Sequence, residues 1–222
     1  MPTLHHLPLS PFCRKVRVAL GEKGLPIDLV EVRPWERDRA FLSLNPAGAA
    51  PVLVLEEGGT IADSNAIVEF IDEIAATPPL LGTEPLARAE TRRLVAWFDD
   101  KFNREVTQPL YGEKVLKRIK GGGAPDSGQL RAGRANLAQH LDYIGWLCDR
   151  RTWLAGDHFS LADIAAGAHL SVIDFIGDVP WERFDGAKLW YQRIKSRPSF
   201  RPLLADRVSG FIPPASYANL DF

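Results

Sequence analysis

The residues with the clearest potential for chemistry lie in Ser10-Pro11-Phe12-Cys13, where a short strand ends and a helix begins. A helix N-terminus presents unpaired N–H groups and partial positive charge, so a hydroxyl or thiol there can be held as an anion or donate to a ligand thiolate. The spacing matches a Cys-x-x-Cys redox motif whose first cysteine is replaced by serine, which disfavours a dithiol oxidoreductase. In the alternative interpretation, Ser10 only caps the helix and Cys13 is a small buried apolar residue.

Two further segments could hold a ligand near this helix. Pro51 enters a strand, and a cis peptide bond there would turn the following backbone toward a ligand; the alternative is an ordinary edge-strand proline. Asp63-Ser64 opens a helix whose N–H groups and Ser64 hydroxyl could bind a carboxylate, while Asp63 could receive an ammonium group. Together the pair would hold an α-amino-acid head group. The alternative is that the pair only caps the helix.

The elements that must position these residues follow a β-α-β-α-β-β-α order in fewer than 80 residues. Pro11 suits a first helical turn, and a glycine at position 24 suits the end of that helix. Glu56-Glu57-Gly58-Gly59 indicates a hairpin, and Ser64 is predicted to cap the next helix. Strands are predicted at 3–7, 27–32, 52–55 and 60–61, and helices at 11–22, 37–44 and from 64 onward.

The rest of the chain is predicted to be all-helical. The segment 76–86 holds three prolines and a glycine, which suits a linker. The stretch that begins at Leu161 is apolar on nearly all sides, so we expect a buried central helix, with Ser160 and Asp163 in capping-box spacing. Helices are predicted at 86–118, 129–150, 161–177 and 187–196, with a flexible loop at 120–128.

The composition of the chain argues against some classes of function. Lys and Arg total 27 against 28 Asp and Glu, a net charge of −1, which argues against a nucleic-acid binder held by a basic field. Residues 1–77 carry 7 basic and 11 acidic residues, a net of −4, and the remainder carries 20 and 17, a net of +3. This asymmetry indicates two units. Two distant cysteines, no long apolar run and no secretion signal predict a cytoplasmic protein with no membrane segment.

Four segments in the same order resemble the glutathione transferase family and span essentially the whole chain: SPFCRKVRVAL, NPAGAAPVL, DSNAIVEFID and LAGDHFSLADI. The resemblance implies an α/β thioredoxin-like domain over 1–77, a linker over 78–87 and an all-helical domain with a C-terminal tail over 88–222. It also implies a homodimer that uses glutathione as cosubstrate and needs no metal.

The same resemblance assigns roles to the candidate residues. Ser10 would donate to the glutathione thiolate, which attacks a small apolar electrophile held by helical-domain side chains and the turn at 7–11. The backbone of Val52, after a cis Pro51, would pair with the cysteinyl part. Asp63 and Ser64 would hold the γ-glutamyl group, although the family often has Glu or Gln at the position of Asp63. Cys13 is the alternative thiol, and Arg37 and Arg39 are candidates for the glycyl end.

A narrower resemblance favours a different function. GEKGLPIDLVEVRPWERDRAFLSLNPAG and the end of the chain, PPASYANLDF, are similar to glutathione-transferase-like division factors of alphaproteobacteria. This implies a non-catalytic adaptor that binds filaments of the tubulin-like protein FtsZ. Trp35 and the tail near Tyr217, with Leu220, Asp221 and Phe222, would then be interaction surface. Alternatively, Trp35 packs beside the cleft and the tail folds back on the helical domain. The enzyme is the first hypothesis and the adaptor the second.

Overall fold

The N-terminal part of the chain is a four-stranded sheet with flanking helices in the computed structural model, which describes residues 1–222. The spatial order of the strands is β2-β1-β3-β4, with β1 and β2 parallel and the other two pairings antiparallel. This part confirms the predicted thioredoxin-like arrangement. The strands are β1 Thr3–His6, β2 Asp28–Glu31, β3 Val52–Val54 and β4 Thr60–Ala62, and the helices are α1 Pro11–Glu22, α2 Arg39–Leu44 and α3 Ser64–Ile74.

The register of the sheet brings three chain segments to one edge. Val52 lies opposite His5 on one side and Ala62 on the other. Because β1 ends at this edge and β4 also ends there, the turn that leads to Ser10 and the start of α3 both begin beside Val52. The sheet therefore gathers the three candidate ligand-binding segments at one end.

The remainder of the chain is helical, as predicted. A long helical stretch consists of α4 Pro85–Ala96, a π-helical segment Trp97–Leu116 and the short α5 Lys117–Ile119. It is followed by α6 Ser127–Cys148, α7 Leu161–Phe175, α8 Asp185–Lys195 and the short α9 Arg201–Leu204. No helix is long and apolar enough to span a bilayer.

Helix α7 lies at the centre of the molecule, and every one of its residues is buried. The predicted capping box is present. The Ser160 hydroxyl accepts from a backbone N–H of the first helical turn, and the Asp163 carboxylate accepts from the Ser160 N–H. Helix α7 packs against α1 of the sheet part and against α4 and the π-helical segment. One hydrophobic core therefore runs from Leu4 of β1 through α7 to Tyr217 of the tail.

Most element boundaries differ from the sequence prediction by one or two residues, and three of these differences have a clear local reason. The cap of α3 is Asp63 and not Ser64, since Asp63 has a non-helical φ of 78° and its carboxylate accepts from the N–H groups of Asn65 and Ala66. Helix α2 begins only at Arg39, because Asp38 caps it. Helix α6 begins at Ser127, two residues earlier than predicted, because Asp126 caps it.

Candidate functional site

The N-terminus of α1 presents a serine and buries a cysteine. Ser10 is the N-cap; its Oγ accepts from the Cys13 N–H at 3.4 Å and the side chain is nearly buried. Cys13 is fully buried and its Sγ accepts from the Leu7 N–H at 3.3 Å. Burial raises the pKa of the Cys13 thiol to about 11, so this thiol stays protonated at neutral pH. Cys13 is therefore unsuited as a nucleophile, and Ser10 is the group at this helix start that a ligand can reach.

We use "sheet edge" for the end of the sheet at which β1 and β4 terminate and β3 begins. Its residues are Ser10, Pro51, Val52, Asp63 and Ser64. The Ala50–Pro51 peptide bond is cis, the geometry that the resemblance implies. The Val52 side chain is fully buried, so a ligand at this position would meet backbone. The register around Val52 gathers these residues at one end of the sheet.

Asp63 is exposed and shows the least common backbone conformation of the sheet edge. Its φ of 78° is rarely adopted by residues other than glycine, asparagine and aspartate. Its Oδ1 accepts from Asn65 N at 2.7 Å and from Ala66 N at 3.4 Å. Both bonds use one carboxylate oxygen, which leaves Oδ2 for an external donor. Ser64 beside it is 3% exposed.

The "cleft" is a cavity of about 490 Å³ between the sheet part and the helical part. It is separate from the sheet edge, although both adjoin the turn that precedes Ser10. Trp35 is half-buried in its wall, with the Lys120 Nζ 5.5 Å from the ring centre. Its lining residues are Leu7, Pro8, Leu9, Glu31, Arg33, Trp35, Tyr111, Val115, Ile119, Arg207, Val208 and Ser209.

Other candidates from the sequence lie elsewhere. Arg37 and Arg39 are exposed and do not line the cleft. No group of three or more His, Cys, Asp or Glu side chains converges in a way that could hold a metal ion.

The C-terminal tail folds back on the helical part. The Phe222 ring lies 5.0 Å from the ring of Trp181, and the Lys195 Nζ lies 4.0 Å from its centre. The Phe222 carbonyl accepts from Gln192 Nε2 at 3.2 Å. Leu220 is half-buried and Asp221 is exposed, so the last residue anchors the tail while these two remain accessible.

Arg14 is a buried structural residue next to the cleft that the sequence analysis missed. Its guanidinium is fully buried and donates to the Pro8 carbonyl at 2.8 Å and to Asp206 Oδ2 at 3.1 Å. It also donates to Ser171 Oγ at 2.8 Å and to the Tyr217 hydroxyl at 3.0 Å. One side chain therefore ties together the turn before Ser10, helix α7 and the tail.

Lys15, the next residue, forms a second buried link between the two parts of the chain. Its Nζ donates to Asn65 Oδ1 at 2.7 Å and to the carboxylate of Asp99. The His169 Nε2 lies 3.4 Å from Asp99 Oδ1, and burial lowers the pKa of this histidine despite the carboxylate. No local signal pointed to Arg14 or Lys15. The apolar residues of α1 recur with helical spacing at Phe12, Val16 and Leu20, and both cations lie outside that pattern.

Comparisons with known proteins agree with this architecture. The family model for the glutathione S-transferase N-terminal domain matches residues 4–79, and that for the C-terminal domain matches residues 127–193. A glutathione S-transferase from Rhodospirillum rubrum F11 is 58% identical, with a TM-score of 0.98 and full coverage of both chains. A glutathione S-transferase from Methylobacterium radiotolerans, solved with glutathione sulfonate, is 30% identical, with a TM-score of 0.75 over 93% of this chain and 99% of that one.

The chain is also similar to a protein that is named for its localisation with FtsZ and not for glutathione transfer. FtsZ-localized protein A of Caulobacter vibrioides is 54% identical over 99% of this chain and 98% of that protein. The structure of FzlA from C. crescentus superimposes with a TM-score of 0.97, at 54% identity and over 100% of this chain and 99% of that one. The two family-model matches, the long relatives and the shared fold establish that this chain belongs to the glutathione S-transferase family.

Proposed function

We propose that this protein associates with FtsZ as a non-catalytic adaptor built on the glutathione transferase fold. The observation that carries the proposal is the 54% identity to FtsZ-localized protein A. That match covers nearly the whole of both chains, so it includes the Trp35 segment and the tail. Fold alone would not support this choice, because one fold hosts many functions.

The contact surface we assign consists of Trp35, Leu220 and Asp221. Half-buried tryptophan side chains are common anchors in protein interfaces. The docking of Phe222 against Trp181 and beneath Lys195 holds the tail in place. A partner that binds Leu220 and Asp221 would therefore lose little conformational entropy in ordering them.

Cosedimentation with assembled FtsZ polymers tests this proposal. We expect the protein to pellet with the polymers, and Trp35→Ala, or Leu220→Ser together with Asp221→Asn, to weaken binding about 10-fold or more, as for loss of an interface anchor. These tail substitutions are cleaner than removal of the last six residues, which would also delete Tyr217, a partner of Arg14.

Trp146→Ala is the matched control, because Trp146 is 49% exposed and lies on α6 outside the assigned surface. It should pellet like the unchanged protein. Failure of the unchanged protein to cosediment would contradict the proposal. If Trp146→Ala weakened cosedimentation as much as Trp35→Ala, Trp35 would not mark a specific contact surface for FtsZ.

A second candidate function is glutathione-dependent transfer to a small apolar electrophile. The observation that favours it is the position of Ser10 at the start of α1, at the end of the sheet where Val52 and the start of α3 also lie. The solved relative with glutathione sulfonate adds weight. In this mechanism the Ser10 hydroxyl donates to the glutathione thiolate, which stabilises the anion. The thiolate then attacks the electrophilic carbon and displaces a leaving group.

Calorimetric titration with glutathione tests this second function. We expect binding at millimolar glutathione and a loss of about 10- to 1000-fold in turnover of an aryl halide in Ser10→Ala, the range for one lost thiolate donor. Asp126→Ala removes a helix cap on α6 and serves as the control for cap loss alone. An absence of glutathione binding, or an unchanged rate in Ser10→Ala, would exclude the mechanism.

A further inference from the structure

We propose that the outer side of β2 is a docking site for an extended peptide segment that carries Lys or Arg beside two apolar residues. The segment would pair with β2 as a fifth strand of the sheet. Neither candidate function assigns a partner to this strand. The proposal needs neither FtsZ nor glutathione, because it depends only on β2 and on the groove beside it.

Strand β2 lies at one side of the sheet and pairs only with β1. The N–H groups of Asp28 and of Val32, just beyond β2, donate toward β1 at 3.0 and 2.8 Å. Because hydrogen-bonding groups alternate along a strand, the N–H and C=O groups of Leu29 and Glu31 point away from β1. No turn or loop hydrogen bond uses these four groups. The outer side of β2 therefore presents two donors and two acceptors to an added strand.

The side chains of β2 are exposed as well as its backbone. All four residues are exposed, including the large apolar side chains of Leu29 at 44% and Val30 at 41%. Successive side chains of a strand point to opposite faces of the sheet, so one of these two lies on each face. A segment with one apolar residue on each of its own faces would remove both side chains from water.

A groove of about 530 Å³ lies between β2 and α2, and we call it the acidic groove. Phe41 of α2 forms part of its apolar lining and lies against the His5 ring, with the ring centres 6.1 Å apart. The His5 Nδ1 is buried without a hydrogen-bond partner. Only Glu31 and Arg33 line both this groove and the cleft, so the two cavities have largely separate walls.

The acidic groove carries an excess of negative charge. Glu31, Glu36 and Asp38 line it against one guanidinium, that of Arg33, which contacts Glu36 at 3.3 Å. Burial lowers the pKa of His5 below its usual 6.5, so this histidine is neutral at pH 7. The charge therefore favours a segment with Lys or Arg over an acidic one. A second copy of β2 would bring like charges together, which disfavours pairing between copies of this strand.

Calorimetric titration with two blocked peptides tests the charge preference. The basic probe is acetyl-Lys-Ile-Thr-Val-Lys-amide, and the acidic probe has Glu in place of both Lys residues. We expect a Kd of about 0.1 mM for the basic probe and binding at least about 10-fold weaker for the acidic one. Glu31→Gln with Asp38→Asn should remove most of that preference. Asp142→Asn with Glu182→Gln, which changes the charge equally at two exposed carboxylates of the helical part, should keep it.

Leu29→Pro tests the strand pairing itself. Proline is tolerated where the N–H of an edge strand faces solvent, and here it removes one of the two outward donors. Leu29→Thr is the matched control, because it also removes the leucine side chain but keeps the N–H. We expect Leu29→Pro to bind the basic probe at least about 10-fold more weakly than Leu29→Thr does. Circular dichroism and the melting temperature verify that both variants fold.

A basic probe with N-methyl groups on its three central residues gives the same test on the unchanged protein, whether or not Leu29→Pro folds. It keeps the charges of the basic probe but cannot donate to β2, so we expect it to lose binding. Equal affinity for the basic and acidic probes, no binding of the basic probe at millimolar concentration, or full binding of the N-methylated probe would overturn the proposal. Cosedimentation with FtsZ uses none of these probes, so its outcome remains separate.

Discussion

The sheet edge and the cleft adjoin the same turn but are stabilised over very different distances along the chain. On the sheet edge, polar groups find partners two or three residues away, as in Ser10 with Cys13 and Asp63 with Asn65. Behind the cleft, the buried Arg14 donates to the carbonyl of the lining residue Pro8 and contacts Ser171, Tyr217 and Asp206, which lie 157, 203 and 192 residues away. The sheet edge is thus assembled from independent local caps, whereas the cleft depends on the whole tertiary structure.

This difference has an energetic consequence. A helix cap contributes about 1 kcal/mol and its loss leaves neighbouring elements intact. Loss of a buried guanidinium with several partners costs more free energy of unfolding than loss of a cap. Each acceptor then lacks its donor, and water cannot replace that donor in a buried position. We therefore expect loss of the buried Arg14 to cost more stability than loss of a cap at the sheet edge.

The largest expected effect is that of Arg14→Met. It removes the donor to Asp206, Ser171 and the Pro8 carbonyl, and we expect a loss of about 3–5 kcal/mol in the free energy of unfolding. Urea denaturation measures this loss.

Arg17→Met is the matched comparison for Arg14. Arg17 contacts the same Asp206 at 2.8 Å, but its side chain is 10% exposed and Asp206 keeps Arg14. We expect a loss of about 1 kcal/mol in urea denaturation. Equal losses for the two variants would show that the burial of Arg14 does not increase its contribution to the free energy of unfolding.

The next effect is the pH dependence that His6 confers at the end of β1. Burial, aided by the nearby charge of Arg17, lowers the pKa of His6 from 6.5 to about 4. Between these values the unfolded chain binds a proton that the folded chain does not, so stability is complete above about pH 6.5 and falls as the pH drops toward 4. The loss should reach about 3 kcal/mol.

Unfolding free energies of the unchanged protein and of His6→Leu, measured from pH 4 to pH 7, test this dependence. The difference between the two proteins isolates His6 from the other titrating groups. As the pH falls, the unchanged protein should lose free energy of unfolding relative to His6→Leu. A difference that is constant with pH would show that His6 titrates normally.

The third effect, smaller than those of Arg14 and His6, lies on the sheet edge. Asp63→Ala removes the cap of α3 and places alanine at a φ of 78°, for a loss of about 2 kcal/mol in total. Asp63→Asn keeps both the cap and the tolerance of this backbone conformation, so we expect a change within about 0.5 kcal/mol. If thermal or urea unfolding gave the same value for both, the cap would not be what stabilises the start of α3.

Local signals accounted for much of the fold. Pro11 at the first turn correctly marked the start of α1, and the capping-box spacing of Ser160 and Asp163 marked the start of α7. Both signals act within one helical turn, and so they survive in any tertiary context. The cap at Asp63 was misassigned to Ser64 because the two neighbours have similar propensities and only the backbone angle distinguishes them.

The buried cations were not predictable in this way. The apolar spacing of α1 describes one face of the helix and leaves Arg14 and Lys15 outside it. Packing of α7 against α1 buries a second face, and there both cations are accommodated by partners from distant parts of the chain. The position of Trp35 beside the cleft has the same origin, since its neighbour Lys120 follows the distant helix α5.

The sequence by itself determined the order of elements, the two-part architecture and the residues of the sheet edge, because caps, turn residues and periodicity act between near neighbours. Only the tertiary structure decided that Arg14 ties the turn before Ser10 to α7 and the tail, and that Cys13 is buried and protonated. It also decided that Phe222 anchors the tail. These properties depend on which distant groups meet and on how much water their contact excludes, and neither can be read from spacing along the chain.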